Sequence, residues 1–248
     1  MNLGSPSKST MFHTKFIRRE DIAAGTIAFH FARPVDFKFK AGQTVDIILI
    51  DPPETDAEGN SRTFSIASAP SDPDIVIGTR LRDTAFKRVL KNMEPGAEVM
   101  IDGPFGSFTL HNDLAKPAVF LAGGIGITPF RSILREAAAQ KLPHRIFLFW
   151  SNRRPEDSPW RGEFVKREAR SAQREVILTM TEPEKSTARW TGETGYITAE
   201  MMRKYLPDFT GAIFYLAGPP QMVFAMRDML NAAGVDDDYI KTDEFAGY

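Results

Sequence analysis

The sequence predicts two structural units in 248 residues: an antiparallel β-barrel followed by a doubly wound, parallel α/β domain. In the first half, short runs of β-branched residues are separated by turns rich in proline, glycine and asparagine, which is typical of antiparallel strands. After Lys116-Pro117, apolar runs alternate with helical segments, which is typical of a parallel sheet covered by helices. We therefore expect one unit over residues 11–114 and a second over residues 115–248.

The elements of the first unit follow from its apolar runs and the turns that stop them. Residues 43–50 and 62–67 are predicted strands, which a long polar loop joins as a hairpin. Residues 75–81 alternate in the period of two that is typical of a half-buried strand. A helix over 84–93 and a strand over 98–102 complete the unit, because a glycine-containing turn ends each of them.

The second unit alternates strands and helices. Its predicted strands are residues 118–122, 145–150, 176–181 and 212–217. Its predicted helices are residues 128–140, 160–172 and 220–233. We interpret the polar stretch 181–194 as a mobile excursion from the sheet.

The composition excludes several classes of function. The 31 basic and 32 acidic side chains give a net charge of −1, so general attraction to nucleic acid or anionic lipid is not expected. The chain has no cysteine, which excludes disulfides, a thiolate nucleophile and cysteine-ligated zinc or iron–sulfur sites within these residues. The four histidines lack metal-ligand spacing, so no metal site is predicted.

The hydropathy pattern gives an expectation about location. No apolar run approaches the ~20 residues of a membrane-spanning helix, so no membrane span is predicted. Residues 1–10 are polar and lack an apolar signal core, and we interpret them as a flexible leader. We accordingly expect a cytoplasmic monomer.

One motif is a glycine-rich turn between an apolar strand and a helical segment, Gly123-Gly124-Ile125-Gly126-Ile127-Thr128-Pro129. Glycines let the backbone approach a pyrophosphate, and the N–H groups at the start of the next helix attract phosphate charge. The spacing departs from the common Gly-x-Gly-x-x-Gly pattern, because Pro129 stands where a third glycine is usual. The alternative interpretation is a tight strand-to-helix turn without a ligand.

A second motif lies on a predicted strand and reads Arg62-Thr63-Phe64-Ser65. An arginine can bind phosphate through two hydrogen bonds, a phenylalanine can stack on a planar ring, and a serine can hydrogen-bond a heteroatom. The alternative places Phe64 in the core and Arg62 in solvent, as is usual for these residue types.

Together these motifs resemble those of the ferredoxin–NADP reductase-like family of flavoprotein reductases, over nearly the whole chain from about Phe12 to Tyr248. The resemblance implies a six-stranded Greek-key barrel that binds flavin, followed by a nucleotide-binding α/β domain. It implies that Arg62 holds a flavin phosphate, that Phe64 packs on the isoalloxazine, and that Ser65 lies near the reactive N5. The flavin contacts predicted from this motif are Arg62, Thr63, Phe64 and Ser65.

The resemblance also places the flavin pyrophosphate at the start of the helix predicted over 84–93. Unsatisfied N–H groups at a helix N-terminus attract phosphate. A surface helix capped by Asp83 is the alternative, and both interpretations can hold together. The residues implied at this place are Thr79, Arg80, Thr84, Ala85, Phe86 and Lys87.

In the second unit, the glycine-rich turn is similar to the family's pyridine nucleotide motif, including its Thr-Pro ending. A later loop resembles the family element beside the nicotinamide, with Ala217 where many relatives have cysteine. Hydride transfer needs no proton-transferring side chain, so we still expect an enzyme. The nucleotide contacts implied are Gly123, Gly124, Gly126, Thr128 and Pro129 from the turn, and Ala217, Gly218, Pro219 and Met222 from the loop.

The C-terminal residues resemble family tails that bring an acidic residue and an aromatic ring to the nicotinamide side of the flavin. The resemblance implies that Ser65, Glu244 and Phe245 form the catalytic set. Either Phe245 or Tyr248 covers the flavin, and the sequence leaves that choice open.

Three polar residues follow the second strand of the nucleotide unit: Ser151, Arg153 and Arg154. The ribose of an adenosine would lie there, and arginines can bind the 2′-phosphate of NADPH. A surface salt-bridge cluster with Glu156-Asp157 is the alternative.

The predicted activity is hydride transfer from NADPH or NADH to FAD, rather than FMN, followed by transfer of electrons to a separate acceptor. The expected acceptor is a ferredoxin, a flavodoxin or an oxygenase component. Three alternatives stay open: a reductase of free flavin, quinone or a small molecule, a flavin-binding module without turnover, and a dehydrogenase without flavin.

Overall fold

The computed structural model describes residues 11–165, 173–209 and 211–245, which form two six-stranded sheets. The predicted leader, residues 1–10, lies outside the described residues. The first sheet comprises β1 (Met11–Ala23), β2 (Thr26–Ala32), β3 (Thr44–Leu49), β4 (Ser61–Ser65), β5 (Asp74–Arg80) and β6 (Glu98–Phe105), and helix α1 (Ala85–Asn92) connects β5 to β6. The order in space is β4-β3-β6-β1-β2-β5, with antiparallel neighbours throughout.

The two outer strands of this sheet meet and close it into a barrel. Directly after β4, Ile66 forms a β-bridge with Ile77 of β5. The N–H of Ala67 also donates to the carbonyl oxygen of Val76 over 2.7 Å. The insertion of β6 between β3 and β1 is a Greek-key arrangement, which confirms the predicted architecture of the first unit.

The sequence predicts no strand before residue 43, yet β1 and β2 form an antiparallel pair. The side chains of β1 alternate in burial only over residues 11–16, and a run of charged residues follows. The side chains of β2 are buried on both faces of the strand, but Thr26 and His30 interrupt its apolar run. Neither strand therefore has a long alternating or uninterrupted apolar pattern.

Phenylalanine rings fill the barrel. Phe16, Phe29, Phe31 and Phe37 are each at most 1% exposed. The rings of Phe16 and Phe31 have centroids 5.9 Å apart, and those of Phe16 and Phe29 are 6.2 Å apart. Because full burial of one such side chain contributes about 1.5–3 kcal/mol, this cluster is a main source of barrel stability.

The second sheet is parallel and carries helices on both faces. Its strands are β7 (Ala118–Gly123), β8 (Ile146–Asn152), β9 (Arg174–Met180), β10 (Glu193–Thr194), β11 (Ile213–Gly218) and β12 (Ile240–Glu244). Its helices are α2 (Ile127–Ala139), α3 (Arg161–Val165), α4 (Ala199–Tyr205) and α5 (Pro220–Ala232). The order β10-β9-β8-β7-β11-β12 confirms the predicted doubly wound domain.

Residues 181–194, predicted to be a mobile excursion, are hydrogen-bonded to the ends of neighbouring elements. The N–H of Thr181 donates to the carbonyl oxygen of Asn152 over 2.9 Å. The hydroxyl of Ser186 donates to the Glu156 carboxylate over 2.8 Å. The segment therefore lies against the carboxyl end of β8.

The two units share an apolar core along the outer face of β2 and β5. Ala28 and Gly78 are paired there in the β-ladder, and their small size leaves room for the second unit. A Cβ placed on Gly78 would lie 2.8 Å from the Trp160 ring, 3.1 Å from Ile125 and 3.2 Å from Thr128. This close approach fixes the glycine-rich turn of the second unit against β5.

Buried polar contacts hold the two units in one orientation. Nη1 of Arg131, on α2, donates to the carbonyl oxygen of Ala67 over 2.8 Å, while the same guanidinium pairs with Glu163. The hydroxyl of Ser132 donates to the carbonyl oxygen of Ser68 over 2.6 Å. Because Arg131 and Ser132 are buried, breaking these bonds would leave polar groups without partners.

The predicted boundary between residues 114 and 115 lies in the segment that joins the two sheets, and it stays a prediction. His111 fixes this segment to β11, because its backbone N–H donates to the Tyr215 hydroxyl over 2.9 Å. The ring Nδ1 of His111 lies 3.0 Å from the same hydroxyl, and its Nε2 lies 3.0 Å from the carbonyl oxygen of Lys116. The connection between the units is therefore hydrogen-bonded to the second sheet.

The sequence predicts no membrane-spanning helix and no metal site, and the described residues contain neither feature as defined below. No helix in this part of the chain combines the length and the apolar character needed to cross a bilayer. Within the same residues, no group of three or more histidine, cysteine or carboxylate side chains is arranged to hold a metal ion.

We expect Gly78→Ala to lower the free energy of unfolding by about 1–3 kcal/mol, because the new methyl group overlaps the Trp160 ring. Urea and thermal denaturation measure this change. Gly162→Ala is the matched control, because a Cβ on Gly162 meets no atom within 4 Å and this residue lies in α3. Equal stability of the Gly78→Ala variant and the wild type would contradict the close contact between the units.

Candidate functional site

The carboxyl ends of β7 and β11 form the centre of the candidate site. These strands are neighbours, and the helices that follow them, α2 and α5, pack in cores on opposite faces of the sheet. Ligands of such sheets bind where the chain diverges in this way. A Cβ on Gly123 would lie 2.1 Å from Sδ of Met222, and one on Gly126 would lie 2.2 Å from the carbonyl oxygen of Ala217. The glycine-rich turn and the later loop are thus in contact.

Packing alone explains two of the glycines in the turn, since no side chain would fit at Gly123 or Gly126. Gly124 adopts a left-handed conformation with φ of 53°, which favours glycine. Thr128 is 1% exposed and donates to a carbonyl oxygen of the turn, and Pro129 is also buried. The side chains therefore support the turn, and its backbone is the part that can meet a ligand.

The later loop approaches β7 through its own backbone. Gly218 has a φ of 151°, and a Cβ on it would lie 3.2 Å from the backbone of Gly123. Pro219 and Met222 face the same glycine, and Met222 packs partly buried on the core that includes α5. This contact places Gly218, Pro219 and Met222 at the carboxyl edge, where the resemblance puts the nicotinamide.

A hydrogen bond between the two units crosses the site. The Ser65 hydroxyl, at the end of β4, donates to Oδ2 of Asp243 over 3.0 Å. Asp243 lies on β12 and is paired with Ala217 of β11 in the parallel ladder. Burial raises the pKa of the Asp243 carboxyl, and the Ser65 hydroxyl partly opposes that shift. The site therefore contains a carboxyl group that keeps its proton to a higher pH than an exposed aspartate does.

The acidic side chain that meets Ser65 is Asp243, whereas the sequence analysis selected Glu244. Glu244 is exposed, and consecutive side chains of a strand point to opposite faces of its sheet. Asp243 is therefore the acidic candidate beside Ser65, and the role of Glu244 stays a prediction. The signal that could have found Asp243 is the alternation along β12, but no strand was predicted there.

Of the two aromatic residues in the tail, the structure describes Phe245. Its backbone N–H donates to the carbonyl oxygen of Gly218 over 3.0 Å, and its ring packs partly buried against the core shared by the two units. Tyr248 lies outside the described residues. Phe245 thus lies beside the nicotinamide loop, and its role over the flavin stays a prediction.

The predicted flavin residues of the barrel meet at the N-terminus of α1. The Arg62 guanidinium carbon lies 5.2 Å from the centre of the Phe86 ring, and that ring lies 6.0 Å from the Phe64 ring. Thr84 caps the helix, because its hydroxyl accepts the N–H of Lys87 at 3.3 Å. Arg62, Phe64, Thr84, Ala85, Phe86 and Lys87 are therefore brought together.

Asp83, the cap in the alternative interpretation, forms an ion pair with Arg88, and Thr84 caps α1. The side chains of Thr63 and Thr79 have partners within the barrel, and their contacts with a cofactor stay predictions. Thr63 is exposed and donates to Asp46 on the neighbouring strand, while Thr79 is 6% exposed and its hydroxyl contacts the Arg80 carbonyl oxygen. The side chains of these two threonines are therefore occupied within the barrel.

Positive charge collects near the start of α1. The Lys87 ammonium donates to the carbonyl oxygen of Arg80 over 2.9 Å. Burial lowers the pKa of Lys87, and the nearby charges of Arg82 and Arg62 lower it further. Among the described residues, no ion pair involves Lys87, Arg80 or Arg82. A cluster of cations with few carboxylate partners fits an anionic ligand such as a phosphate.

Arg62 itself is not among the unpaired cations. Its Nη2 lies 2.7 Å from Oδ1 of Asp56, and its Nε lies 2.9 Å from Oε2 of Glu58. Asp56 was not singled out in the sequence, because nothing in a polar loop indicates that it folds back on a following strand. The loop carboxylates therefore occupy the arginine expected to hold the flavin phosphate.

Two arginines follow β8, and they differ in whether a carboxylate binds them. Arg154 binds both carboxylate oxygens of Asp157, each at 2.9 Å, as the salt-bridge alternative expects. Arg153 is exposed and forms no ion pair among the described residues. Ser151 is half-buried and is paired with Gly123 in the ladder. Arg153 is thus the available cation at this edge.

The residues at α1 and the strand ends fit a flavin nucleotide together with a nicotinamide nucleotide. Lys87 and Arg82 provide positive charge, the start of α1 provides backbone N–H groups, and Phe64 provides a partly buried ring. The glycine-rich turn offers its backbone at the carboxyl edge of the sheet. Both halves of the donor set therefore match phosphate-bearing, planar ligands.

Comparison with known proteins places this arrangement in a family. Residues 120–228 match the family model described as the oxidoreductase NAD-binding domain. The chain is 28% identical over 223 residues to the glycine betaine monooxygenase reductase subunit of Chromohalobacter salexigens, covering 89% of this chain and 60% of that protein. The matched domain, this relative and the fold agree with the ferredoxin–NADP reductase-like family that the motifs resemble.

A second relative also has a similar sequence. It is one of the subunits of the Na⁺-translocating NADH-quinone reductase of Methylococcus capsulatus, and it is 33% identical to this chain over 202 residues. Those residues are 75% of this chain and 49% of that protein. The chain spans 49–60% of the length of these two relatives.

A solved structure confirms the family fold. The ferredoxin NADP⁺ reductase from Neisseria gonorrhoeae, with bound FAD and NADP, superposes with a TM-score of 0.77 at 20% identity. The alignment covers 94% of this chain and 98% of that chain. Both units of the present structure thus have the ferredoxin–NADP reductase-like architecture.

We expect Asp243→Asn to stabilise the protein at pH 8 and to have a smaller effect at pH 4. Burial raises the pKa of Asp243 in the folded state, so its contribution to stability is lost as pH rises through that folded value. Each unit between the unfolded and folded pKa values corresponds to about 1.4 kcal/mol, or roughly 3 °C in Tm. Thermal denaturation at both pH values measures this difference.

Glu244→Gln is the control for this prediction, because Glu244 is exposed on the same strand. We expect its Tm to follow that of the wild type at both pH values. A loss of stability in Asp243→Asn at pH 8 would show that the ionised carboxylate is favourable in the fold, contrary to the argument from burial.

Proposed function

We propose that this chain is an NAD(P)H-dependent flavin reductase that binds FAD on the barrel and a nicotinamide nucleotide on the α/β unit. The observation that carries the proposal is the hydrogen bond from Ser65 to Asp243. It joins the candidate flavin motif to the carboxyl edge where the nicotinamide motif lies. Hydride transfer requires two ligands in van der Waals contact, and a site shared by both units supports that geometry.

A bound flavin supplies the hydride acceptor at N5, and the protein supplies position and electrostatics. Ser65 offers a hydroxyl group at the end of the flavin motif, and Asp243 can hold a proton beside it because its pKa is raised. Ala217 has no ionisable group, so Ser65 and Asp243 provide the polar side chains at this place. The glycine-rich turn and the Gly218 loop orient the nucleotide through their backbones.

The phosphate end of the flavin belongs, in this proposal, at the start of α1. Lys87 and Arg82 attract the phosphates, and the first N–H groups of the helix donate to them. Phe64 packs on the isoalloxazine. FAD rather than FMN is proposed because the chain resembles relatives that use FAD, and the mass of the released pigment distinguishes the two.

We further propose that electrons pass to a separate acceptor. One relative is named as the reductase subunit of a monooxygenase, which supports an oxygenase component as the acceptor, and ferredoxin or flavodoxin are the other protein candidates. The chain has no cysteine, so a cysteine-ligated iron–sulfur centre would come from residues outside these 248. A reductase of free flavin, quinone or a small molecule is the alternative, since a second relative belongs to an NADH-quinone reductase.

The visible spectrum of the purified protein tests the central proposal. We expect absorption bands of oxidised flavin, after addition of FAD where necessary, and bleaching when NADH or NADPH is added under argon. A protein that takes up no flavin would exclude the reductase. A yellow protein that neither nucleotide bleaches would instead be a flavin-binding module without turnover.

We expect Arg153→Ser to lower kcat/KM for NADPH by about 10–100-fold and to leave kcat/KM for NADH nearly unchanged. Arg153 is the unpaired cation after β8, and a charge-assisted hydrogen bond to a 2′-phosphate contributes about 1.5–3 kcal/mol. Steady-state kinetics with both nucleotides measure the ratio. In the control Arg154→Ser, the ratio is expected to stay constant, because Asp157 already binds that guanidinium. Equal losses with both nucleotides would contradict the assignment.

A further inference from the structure

The loop between β3 and β4 folds back onto the arginine of the flavin motif. All three guanidinium nitrogens of Arg62 contact this loop or its end. Nη2 contacts the Asp56 carboxylate at 2.7 Å and Nε contacts the Glu58 carboxylate at 2.9 Å. Nη1 lies 2.7–3.1 Å from three carbonyl oxygens, those of Glu58, Gly59 and Ser61. Few donors of Arg62 remain free for another anion.

Asp56 also lies close to the start of α1. Its carboxylate accepts the backbone N–H of Glu58 over 3.1 Å as well as the Arg62 guanidinium. Hydrogen bonding with Arg62 lowers the pKa of Asp56, and the backbone N–H groups of Glu58 and of Ala85, the first residue of the helix, lower it further. The Asp56 carboxylate thus binds the guanidinium beside the helix N-terminus, the two groups that the flavin motif would offer to a phosphate.

Both carboxylates can leave these contacts without disturbing the barrel. The side chain of Glu58 is 76% exposed and that of Asp56 is 31% exposed, so neither is part of the core. Arg62 by contrast is 19% exposed and lies over the Phe86 ring, which fixes its place at the helix. Moving the loop therefore exposes Arg62 at the same position rather than removing it.

We propose that Asp56 and Glu58 form a carboxylate latch that competes with the flavin phosphate for Arg62 and the start of α1. The inference rests on the proposed function, because it concerns the same flavin site. The latch neutralises Arg62 internally, so a phosphate must displace two carboxylates before it gains the contacts of that arginine. The neighbouring cations Lys87 and Arg82 form no ion pair with either carboxylate, although Glu58 lies near Lys87, and they attract the phosphate first. The consequence is a flavin that exchanges readily instead of one that is held permanently.

The latch acts on the phosphate end of the flavin. Riboflavin has no phosphate, so its binding is unaffected by the latch and serves as the comparison with FAD. In the variant Asp56→Asn/Glu58→Gln, we expect the Kd for FAD to fall by about tenfold or more, while the Kd for riboflavin stays within twofold of the wild type. Titration of the flavin-free protein, followed by flavin fluorescence, measures both constants. We expect a smaller gain for Glu58→Gln alone, a change at an exposed side chain that leaves the fold intact.

The matched control is Glu54→Gln. Glu54 is a carboxylate of the same loop, but it pairs with Arg88 and not with Arg62. We expect this variant to bind FAD as the wild type does. A general gain from removing negative charge near the site would lower the Kd in this control as well, and that outcome would overturn the latch.

Two further outcomes separate the latch from the proposed function. Unchanged or weaker FAD binding in Asp56→Asn/Glu58→Gln, with riboflavin binding intact, would show that the carboxylates position Arg62 for the phosphate and would overturn the latch alone. Absence of binding of both FAD and riboflavin to every variant and to the wild type would overturn the flavin reductase itself.

Discussion

The packing of the second unit against small residues of the barrel is the contact on which the candidate site depends. Ala28 and Gly78 leave space on the outer face of β2 and β5, and Trp160 fills it together with the glycine-rich turn. Interiors are close-packed, so a larger residue there would displace the turn rather than be absorbed. The bond between Ser65 and Asp243 spans the same two units. A steric contact at Gly78 and a polar contact at Ser65 thus join the same two units.

The periodic pattern predicted most of the second unit because strands buried on both faces read as short apolar runs, as β7 and β11 do. It failed where an element lacks an apolar pattern of its own. β12 has no fully buried residue, and its place in the sheet depends on pairing with β11. In the barrel, β1 is mostly exposed and was missed for the same reason. Tertiary pairing, which the local sequence does not record, defines both strands.

The motifs predicted which parts of the chain meet, but not which atoms. Two acidic residues follow each other at 243 and 244, and only the register of β12 decides that Asp243 reaches Ser65. The motif likewise identified Arg62, and the loop contact with Asp56 joins residues that no sequence rule connects. Close packing also explains the glycines at 123 and 126, because a Cβ at either position would overlap neighbouring atoms. The sequence leaves this interpretation open as an alternative to phosphate binding.

The two ends of the candidate site differ in whether they stabilise a negative charge. At the start of α1, Lys87 and the neighbouring arginines form an unfavourable group of like charges, which the carboxylates of Asp56 and Glu58 partly neutralise. At the other end, burial disfavours the ionised form of Asp243. The start of α1 therefore offers complementary charge to an anionic phosphate, while the surroundings of Asp243 favour a neutral group. This asymmetry is complementary to a ligand that carries phosphates at one end and a planar heterocycle at the other.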